Sequence, residues 1–210
     1  MLFDLSSTQL SAFALASLLL AAAPGPGVTF LIARTLSEGR SAGLAATTGV
    51  ALGNFGNALG ASLGLAALLA LNAALFAVVK WLGAAYLIAL GIRLIAQSTS
   101  TKTTEHGMTE RTRHFQDGFW VALLNPKTML FFAAFLPQFL HTDSTSLQQI
   151  LPLGTLFVLI ALISDSAYVL LAGRFARQLR NAIDTRFGRY LTAAVYIGLG
   201  LLTGLTGFDQ

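Results

Sequence analysis

The sequence predicts an all-α integral membrane protein with six transmembrane helices, arranged as two inverted three-helix repeats in which helices 1 and 4 are broken. Of the 210 residues, 55% are hydrophobic and only 10% are charged, whereas soluble globular proteins carry about 25% charged residues. The apolar residues form six runs, each close to the ~20 residues that a helix needs to cross a bilayer. Proline interrupts the first and the fourth run.

The six runs define the order of the predicted spans. We place them at 9–33, 42–66, 73–96, 116–140, 149–173 and 189–207. No alternation of polar and apolar residues competes as a strand pattern. Residues 1–210 therefore form a single transporter domain, with half-repeats 1–97 and 115–210 and a linker 98–114. Because each half has three spans, the two halves cross the membrane in opposite senses.

The breaks in spans 1 and 4 are the features around which a site is expected. Pro24-Gly25-Pro26-Gly27 lies in the first run and Asn125-Pro126-Lys127 lies in the fourth. Proline removes a backbone donor and glycine loosens the chain. Backbone left unpaired at membrane depth is tolerated only where protein or a water-filled cavity supplies partners. Paired breaks in the two halves therefore predict a substrate site.

The basic residues indicate the orientation of the chain. Apart from Lys80 and Lys127, they fall in three predicted connections that contain Arg34 and Arg40; Arg93, Lys102, Arg111 and Arg113; and Arg174, Arg177, Arg180, Arg186 and Arg189. The positive-inside rule places these connections in the cytoplasm and both termini outside. The same pattern explains the pI of about 9.9 without a nucleic-acid partner.

Two of these connections have recognisable patterns. Residues 98–114 are the only sustained polar stretch and predict a flexible linker. In 174–187, apolar residues recur every four positions with arginines between them. That pattern fits either an amphipathic segment on the cytoplasmic surface or a helix end with charged residues beyond it.

Three ionisable side chains are expected inside the spans: Lys80, Lys127 and Asp165. Each costs about 2.5–3.5 kcal/mol at a helix centre, so each needs a partner or a use. Lys80 lies near the outer end of its span and can extend to the interface. Asp165, taken as the only acid in the spans, either pairs with Lys127 structurally, binds a substrate ammonium or transfers a proton.

The half-helices that follow the two breaks point their N-termini at the middle of the membrane from opposite directions. Free amides and partial positive charge at a helix N-terminus suit a carboxylate, and Asp165 would suit an ammonium. The topology thus predicts a site for a zwitterion. Asn54 and Asn57 share a helix face and either line this site or bond across helices. The candidate substrate-binding residues are Pro24, Gly25, Pro26, Gly27, Asn54, Asn57, Asn125, Pro126, Lys127 and Asp165.

The glycines of the second span predict close helix packing rather than catalysis. Gly49, Gly53, Gly56, Gly60 and Gly64 are spaced mostly by four residues, which lets helix backbones approach each other. The stretch 60–64 also matches the serine-hydrolase pattern G-x-S-x-G. A serine nucleophile needs a nearby base, however, and all three histidines fall in predicted loops. We therefore predict no enzymatic activity, no cofactor and no metal site.

Taken together, these motifs resemble those of the LysE/RhtB family. The resemblance rests on PGPG in span 1, the glycine-rich span 2, the stretch Lys80-Trp81-Leu82-Gly83-Ala84-Ala85-Tyr86-Leu87 with Gly91, Gly118 before Leu124-Asn125-Pro126-Lys127, and Phe131-Phe132 before Leu136-Pro137-Gln138-Phe139. It covers essentially the whole chain.

This resemblance implies an exporter of amino acids or close derivatives in a bacterial inner membrane, with both termini periplasmic. It further implies antiport with protons, in which Asp165 is the coupling candidate, and a possible homodimer within the lipid. Family members often carry an acid or an amide near Asn54. Two other functions fit parts of the sequence: an exporter of another small anion or of a metal ion, and a membrane scaffold that transports nothing.

The charge asymmetry makes a direct topology prediction. The native chain has no cysteine, so Ser100→Cys and Ser144→Cys each introduce a single thiol. A membrane-impermeant thiol reagent should label Ser100→Cys only from the cytoplasmic side and Ser144→Cys only from outside. Labelling with the opposite sidedness would contradict the predicted orientation.

Overall fold

The computed structural model describes residues 7–62, 72–96, 108–139, 147–179 and 185–205. Within these ranges the chain is helical and contains no strand. The helices are α1 (Ser7–Ala22), α2 (Pro26–Glu38), α3 (Arg40–Ser62), α4 (Ala73–Ala96), α5 (Met108–Leu123), α6 (Pro126–Ala134), a 3-10 helix (Leu136–Phe139), α7 (Leu147–Leu179) and α8 (Thr185–Leu205).

Both predicted breaks are present. Helices α1 and α2 meet at a bend of 48°, with Gly25 as the N-cap of α2 in an extended conformation and Pro26 in its first turn. The second break separates α5 from α6, and Pro126 lies in the first turn of α6. Proline suits this position because the amide that it lacks would have no helical acceptor there. The two halves of the chain therefore use the same device to restart a helix.

The structure supports part of the predicted set of spans. In the described ranges, two helices are long and apolar enough to cross a membrane alone: 74–96 of α4 and 150–175 of α7. The bent pair of α1 and α2 counts as a third span. Helix α5 has only 16 residues and begins in polar sequence, and the apolar part of α8, Tyr190–Leu205, is also short.

Close packing between α3 and α5 holds the two halves together. A Cβ atom added at Gly49 or Gly53 would collide with the backbone carbonyl oxygens of Phe115 and Phe119, and one at Gly118 with that of Ala46. The glycines of α3 that were predicted to pack do so at Gly49 and Gly53. Helix α3 also contacts α7, α7 contacts α1 and α2, and α4 packs along α8.

The two ends of the bundle differ in chemistry. One end of the bundle carries arginines near the C-termini of α2, α4 and α7 and near the N-termini of α3 and α5. We call it the basic end, and its arginines are Arg34, Arg93, Arg174, Arg40, Arg111 and Arg113. Towards the other end lies an aromatic cluster. Phe13, Phe131, Phe132 and Phe157 are buried there, and the centroids of Phe131 and Phe157 are 5.1 Å apart.

Two connections differ from the sequence interpretation or extend it. Helix α5 begins at Met108, so residues 108–114 are helical rather than part of a flexible linker, and the rest of that linker lies outside the described residues. Helix α7 continues to Leu179 and α8 begins at Thr185. The first part of the arginine-rich stretch is therefore the end of α7, as in the second of the two interpretations, and 180–184 lie outside the described residues.

The α3–α5 contact predicts a strong difference between two glycines. Gly49→Ala should destabilise the protein, by about 1–3 kcal/mol for overpacking, because the added methyl meets backbone that cannot rotate away. Gly198→Ala should be nearly neutral, since a Cβ atom there meets nothing within 4 Å. Thermal unfolding in detergent measures both. Equal melting temperatures for the two variants would contradict the packing described here.

Candidate functional site

A small cavity of about 40 Å³ lies where the two broken helices meet. Ordered water needs about 10–15 Å³ by this kind of measure, so the cavity has room for a few water molecules. It is lined by residues of both breaks and of α1, α3, α5 and α7: Leu20, Ala21, Gly25, Gly27, Val28, Val50, Asn54, Ala122, Asn125, Lys127, Thr128, Phe157, Ala161 and Asp165. Six of the predicted site residues thus share one cavity.

The C-terminal carbonyls of α1 are paired with side chains of the second half. Lys127 Nζ donates to the carbonyl oxygens of Leu20 at 2.8 Å and Ala23 at 2.5 Å. The last carbonyls of a helix have no partner within the helix and carry partial negative charge. An ammonium group placed there supplies the missing hydrogen bonds and compensates the partial negative charge.

Two residues of α7 complete this cap on α1. Tyr168 Oη donates to the Ala22 carbonyl at 2.7 Å, and Ser164 Oγ donates to the Ala21 carbonyl at 3.3 Å. Four consecutive carbonyls, 20–23, therefore bind donors from α6 and α7. The carbonyls that precede the first break are therefore hydrogen-bonded by side chains from the second half of the chain.

At the second break, an asparagine from the first half of the chain binds a carbonyl near the end of α5. Asn57 Nδ2 donates to the Ala122 carbonyl, near the C-terminus of α5, at 2.9 Å. Asn54, one turn earlier on α3, lines the cavity instead. Each of the two roles considered for this pair is therefore filled by one residue: Asn57 bonds across helices and Asn54 faces the site.

The N-termini of α2 and α6 both border the cavity. Gly27 and Val28 belong to the first turn of α2, and Thr128 to that of α6. Amides in a first helical turn have no acceptor within the helix and carry partial positive charge. In α6, one of these amides is already capped, because Asn125 Oδ1 accepts from Lys127 N at 3.1 Å. The remaining first-turn amides at the cavity are the ones that the sequence interpretation assigns to an anion, an assignment that stays a prediction.

The three prolines lie beside the cavity rather than in its lining. Pro24 is exposed at the break. Pro26 and Pro126 line a separate cavity of about 10 Å³ together with Asn125 and Gly83. Their contribution is to start the two half-helices, which positions the amides that follow.

Asp165 is buried in the cavity wall, with 6% of its surface exposed. Its carboxylate forms no ion pair within 4 Å among the described residues. The structural pair with Lys127, one of the three alternatives considered for Asp165, is therefore not formed here, since the ammonium donates to backbone carbonyls. Lys127 does have a structural role, but its partner is the end of α1.

The structure also contains a buried ionic network at the basic end that the sequence interpretation missed. Arg34 is 2% exposed and donates to Asp117 Oδ2 at 2.7 Å and Glu38 Oε1 at 2.8 Å. Tyr86 Oη donates to Asp117 Oδ1 at 2.9 Å. The view that Asp165 is the only acid inside the spans is therefore wrong, because Asp117 is buried as well. In the sequence, Asp117 stands at the start of the fourth apolar run, and this position could have indicated that its carboxylate is buried.

His114 belongs to the same network. The sequence interpretation placed it in a loop, whereas in the structure it lies in α5. The ring Nδ1 lies 3.2 Å from Arg34 Nη1. A guanidinium has no acceptor, so Nδ1 must accept and the proton of a neutral ring lies on Nε2. That nitrogen is 3.6 Å from Glu38 Oε2. The rings of Phe30 and Tyr196 cover the guanidinium at 5.3 Å and 5.9 Å.

Lys80 lies away from the cavity. Its ammonium is 5.7 Å from the centroid of the Trp81 ring, and Trp81 is 56% exposed. This position agrees with a side chain that extends along the outer surface of its span.

Comparison with known proteins identifies the family. The sequence profile of the LysE type translocators matches residues 18–207. The chain belongs to this family. It is 33% identical over 195 residues to an uncharacterized membrane protein of Vibrio cholerae, covering 91% of this chain and 94% of that one.

Two further relatives carry functional names. The homoserine/homoserine lactone efflux protein of Salmonella typhimurium is 30% identical over 183 residues, covering 84% of this chain and 89% of its own. The leucine efflux protein of an Enterobacter species is 31% identical over 140 residues, covering 66% and 64%. No solved structure matches the chain.

The ionic network predicts a large stability effect at Arg34. Arg34→Gln should destabilise the protein by about 3–5 kcal/mol, because it leaves the buried Asp117 carboxylate without its cation. Arg174→Gln should have little effect, since Arg174 is exposed at the basic end. Thermal unfolding in detergent compares them. An Arg34→Gln protein as stable as Arg174→Gln would show that the network contributes little.

Proposed function

We propose that this translocator exports amino acids or close derivatives, of the homoserine, threonine or leucine type, across a bacterial inner membrane by antiport with protons. The proposal includes six spans and both termini in the periplasm. Membership of the LysE type family supports it, as do two relatives named for efflux of homoserine or its lactone and of leucine.

The single observation that carries the proposal is the meeting of both broken helices at one cavity that also contains Asp165. Amides at the N-termini of α2 and α6 would bind the substrate carboxylate. The Asp165 carboxylate would bind the substrate ammonium or carry the exchanged proton. The Lys127 ammonium, although bonded to α1, adds positive charge beside the amides. A zwitterion is the ligand whose two charges match this arrangement.

The packing of the helices supports two inverted repeats. If α1–α2 corresponds to α5–α6, α3 to α7 and α4 to α8, a two-fold axis predicts which helices touch. It pairs the α1–α7 contact with the α5–α3 contact, and it maps the α3–α7 and α4–α8 contacts onto themselves. All four contacts are present, whereas the α2–α3 and α2–α8 contacts are more extensive than their counterparts, α6–α7 and α6–α4, in the described residues. Transporters built in this way commonly rock one part against the other around a central site.

Alternating access is the mechanism that fits the cavity. At about 40 Å³ it is too small for an amino acid, since small-molecule pockets are commonly about 300–1,000 Å³. The aromatic cluster blocks it on one side and the Arg34 network on the other. Substrate binding therefore requires the broken helices to separate, and release requires the opposite barrier to open.

Asp165→Asn tests the role of the acid directly. The variant should fold and reach the membrane, because an amide is isosteric with the carboxylate that forms no ion pair here. Export of L-homoserine or L-leucine driven by a proton gradient in proteoliposomes should fall at least about 100-fold, as expected for loss of an essential acid.

Glu110→Gln is the matched control, since Glu110 is an exposed acid in α5. It should transport at the rate of the wild type. A folded Asp165→Asn protein that exports normally under a proton gradient would overturn the assignment of Asp165.

A further inference from the structure

A second cavity, of about 340 Å³, opens at the basic end and is not part of the central site. We call it the basic vestibule. Its lining consists of Arg34, Leu90, Arg93, Leu94, Arg113, Asp117 and Tyr196. Its volume reaches the lower limit of typical small-molecule pockets, ~300 Å³, whereas the central cavity does not.

The charge of the basic vestibule favours an anion. Three arginines line it, and among the described residues the carboxylates that bond to this lining include Asp117, which is part of the wall, and Glu38. Both carboxylates are bonded to Arg34. The guanidinium of Arg93 is exposed and forms no ion pair within 4 Å in the described part of the chain. Positive charge therefore remains in excess.

Arg34 is the buried cation in the wall of the vestibule. The side chain is almost fully buried, yet its Nε has no hydrogen-bond partner among the described residues. Its two terminal nitrogens are already used by Asp117, Glu38 and His114. A buried donor without an acceptor is rare in native proteins. Because this nitrogen has almost no accessible surface, Arg34 contributes positive charge to the wall of the vestibule and not a donor that a ligand can reach.

We propose that the basic vestibule is a second substrate site, which captures the carboxylate group of the amino acid before it reaches the central cavity. Arg93 binds the carboxylate, and Arg34 and Arg113 add positive charge to the wall. Leu90 and Leu94 contact the apolar side chain. Guanidinium groups are the side chains best suited to carboxylates, because their donors form a planar fork. This inference rests on the proposed function and adds a recognition step at the face that carries the basic end.

Arg93→Gln tests the proposal without disturbing the buried network, because Arg93 is exposed. Proteoliposomes that contain the purified protein are supplied with labelled L-leucine or L-homoserine at either face. The variant should raise KM at the face with the basic end by at least about fivefold, with the maximal rate within about twofold, as expected when one charge-assisted hydrogen bond to the substrate is lost. KM at the opposite face should not change.

Two controls make the result specific. Arg174→Gln removes an exposed arginine at the same end but outside the vestibule, and it should leave both KM values unchanged. Any inhibition by L-leucine methyl ester, which lacks the free carboxylate, should be the same for the wild type and Arg93→Gln. An equal rise of KM for Arg174→Gln would assign the effect to general surface charge and overturn the proposal.

The outcomes separate the two proposals. Wild-type protein that transports neither amino acid would overturn the proposed function, and the vestibule proposal with it. An active wild type in which Arg93→Gln leaves KM unchanged at the basic end would overturn the vestibule proposal alone.

Discussion

The structure depends on the Lys127 ammonium, which lies in the second half of the chain and binds carbonyls at the end of α1 in the first half. Helix α1 ends at the first break, where its last carbonyls have no partner within the helix, and the Lys127 ammonium binds the carbonyls of Leu20 and Ala23. Lys127 is itself in the first turn of α6, directly after the second break. The two breaks therefore stabilise each other. Asn57 makes the reciprocal bond from α3 to the end of α5.

This arrangement has a consequence for Asp165. Because the ammonium donates to backbone, the nearby carboxylate is buried without an ion pair in the described part of the chain. A buried carboxylate is costly to keep charged. Either a proton or a substrate ammonium relieves that cost, and the two exclude one another. Exchange of one for the other at a single carboxylate is the simplest physical basis for antiport.

The two barriers around the central cavity would open by different physical means. Separating Phe131 from Phe157 exposes apolar surface to water, which opposes opening in proportion to the area exposed. Separating Arg34 from Asp117 breaks charged hydrogen bonds, and water or a carboxylate ligand can replace them. A carboxylate ligand in the proposed vestibule site would act directly on the barrier at its own end.

The parts of the fold that were predictable are those encoded locally. Proline marks both breaks, together with glycine in the first and asparagine in the second. Four-residue glycine spacing marks the α3–α5 contact, and α4 has the predicted bounds, 73–96. The parts that were missed depend on tertiary contacts. Arg34 was grouped with the loop cations because the positive-inside rule counts charges without their depth, and the backbone partners of Lys127 have no sequence signature. His114 was assigned to a loop because a polar stretch hid the beginning of α5.

The central claim, that the substrate binds where the breaks meet, is tested most directly by protection of a single thiol. Ala161→Cys places one cysteine in the cavity wall of a chain that has no other, and Ala45→Cys provides a control in a surface groove near Arg40. A small thiol reagent should label Ala161→Cys more slowly when L-leucine or L-homoserine is present, and Ala45→Cys at an unchanged rate. If transport-active Ala161→Cys is labelled at the same rate with and without the amino acid that it transports, the substrate does not bind at the breaks.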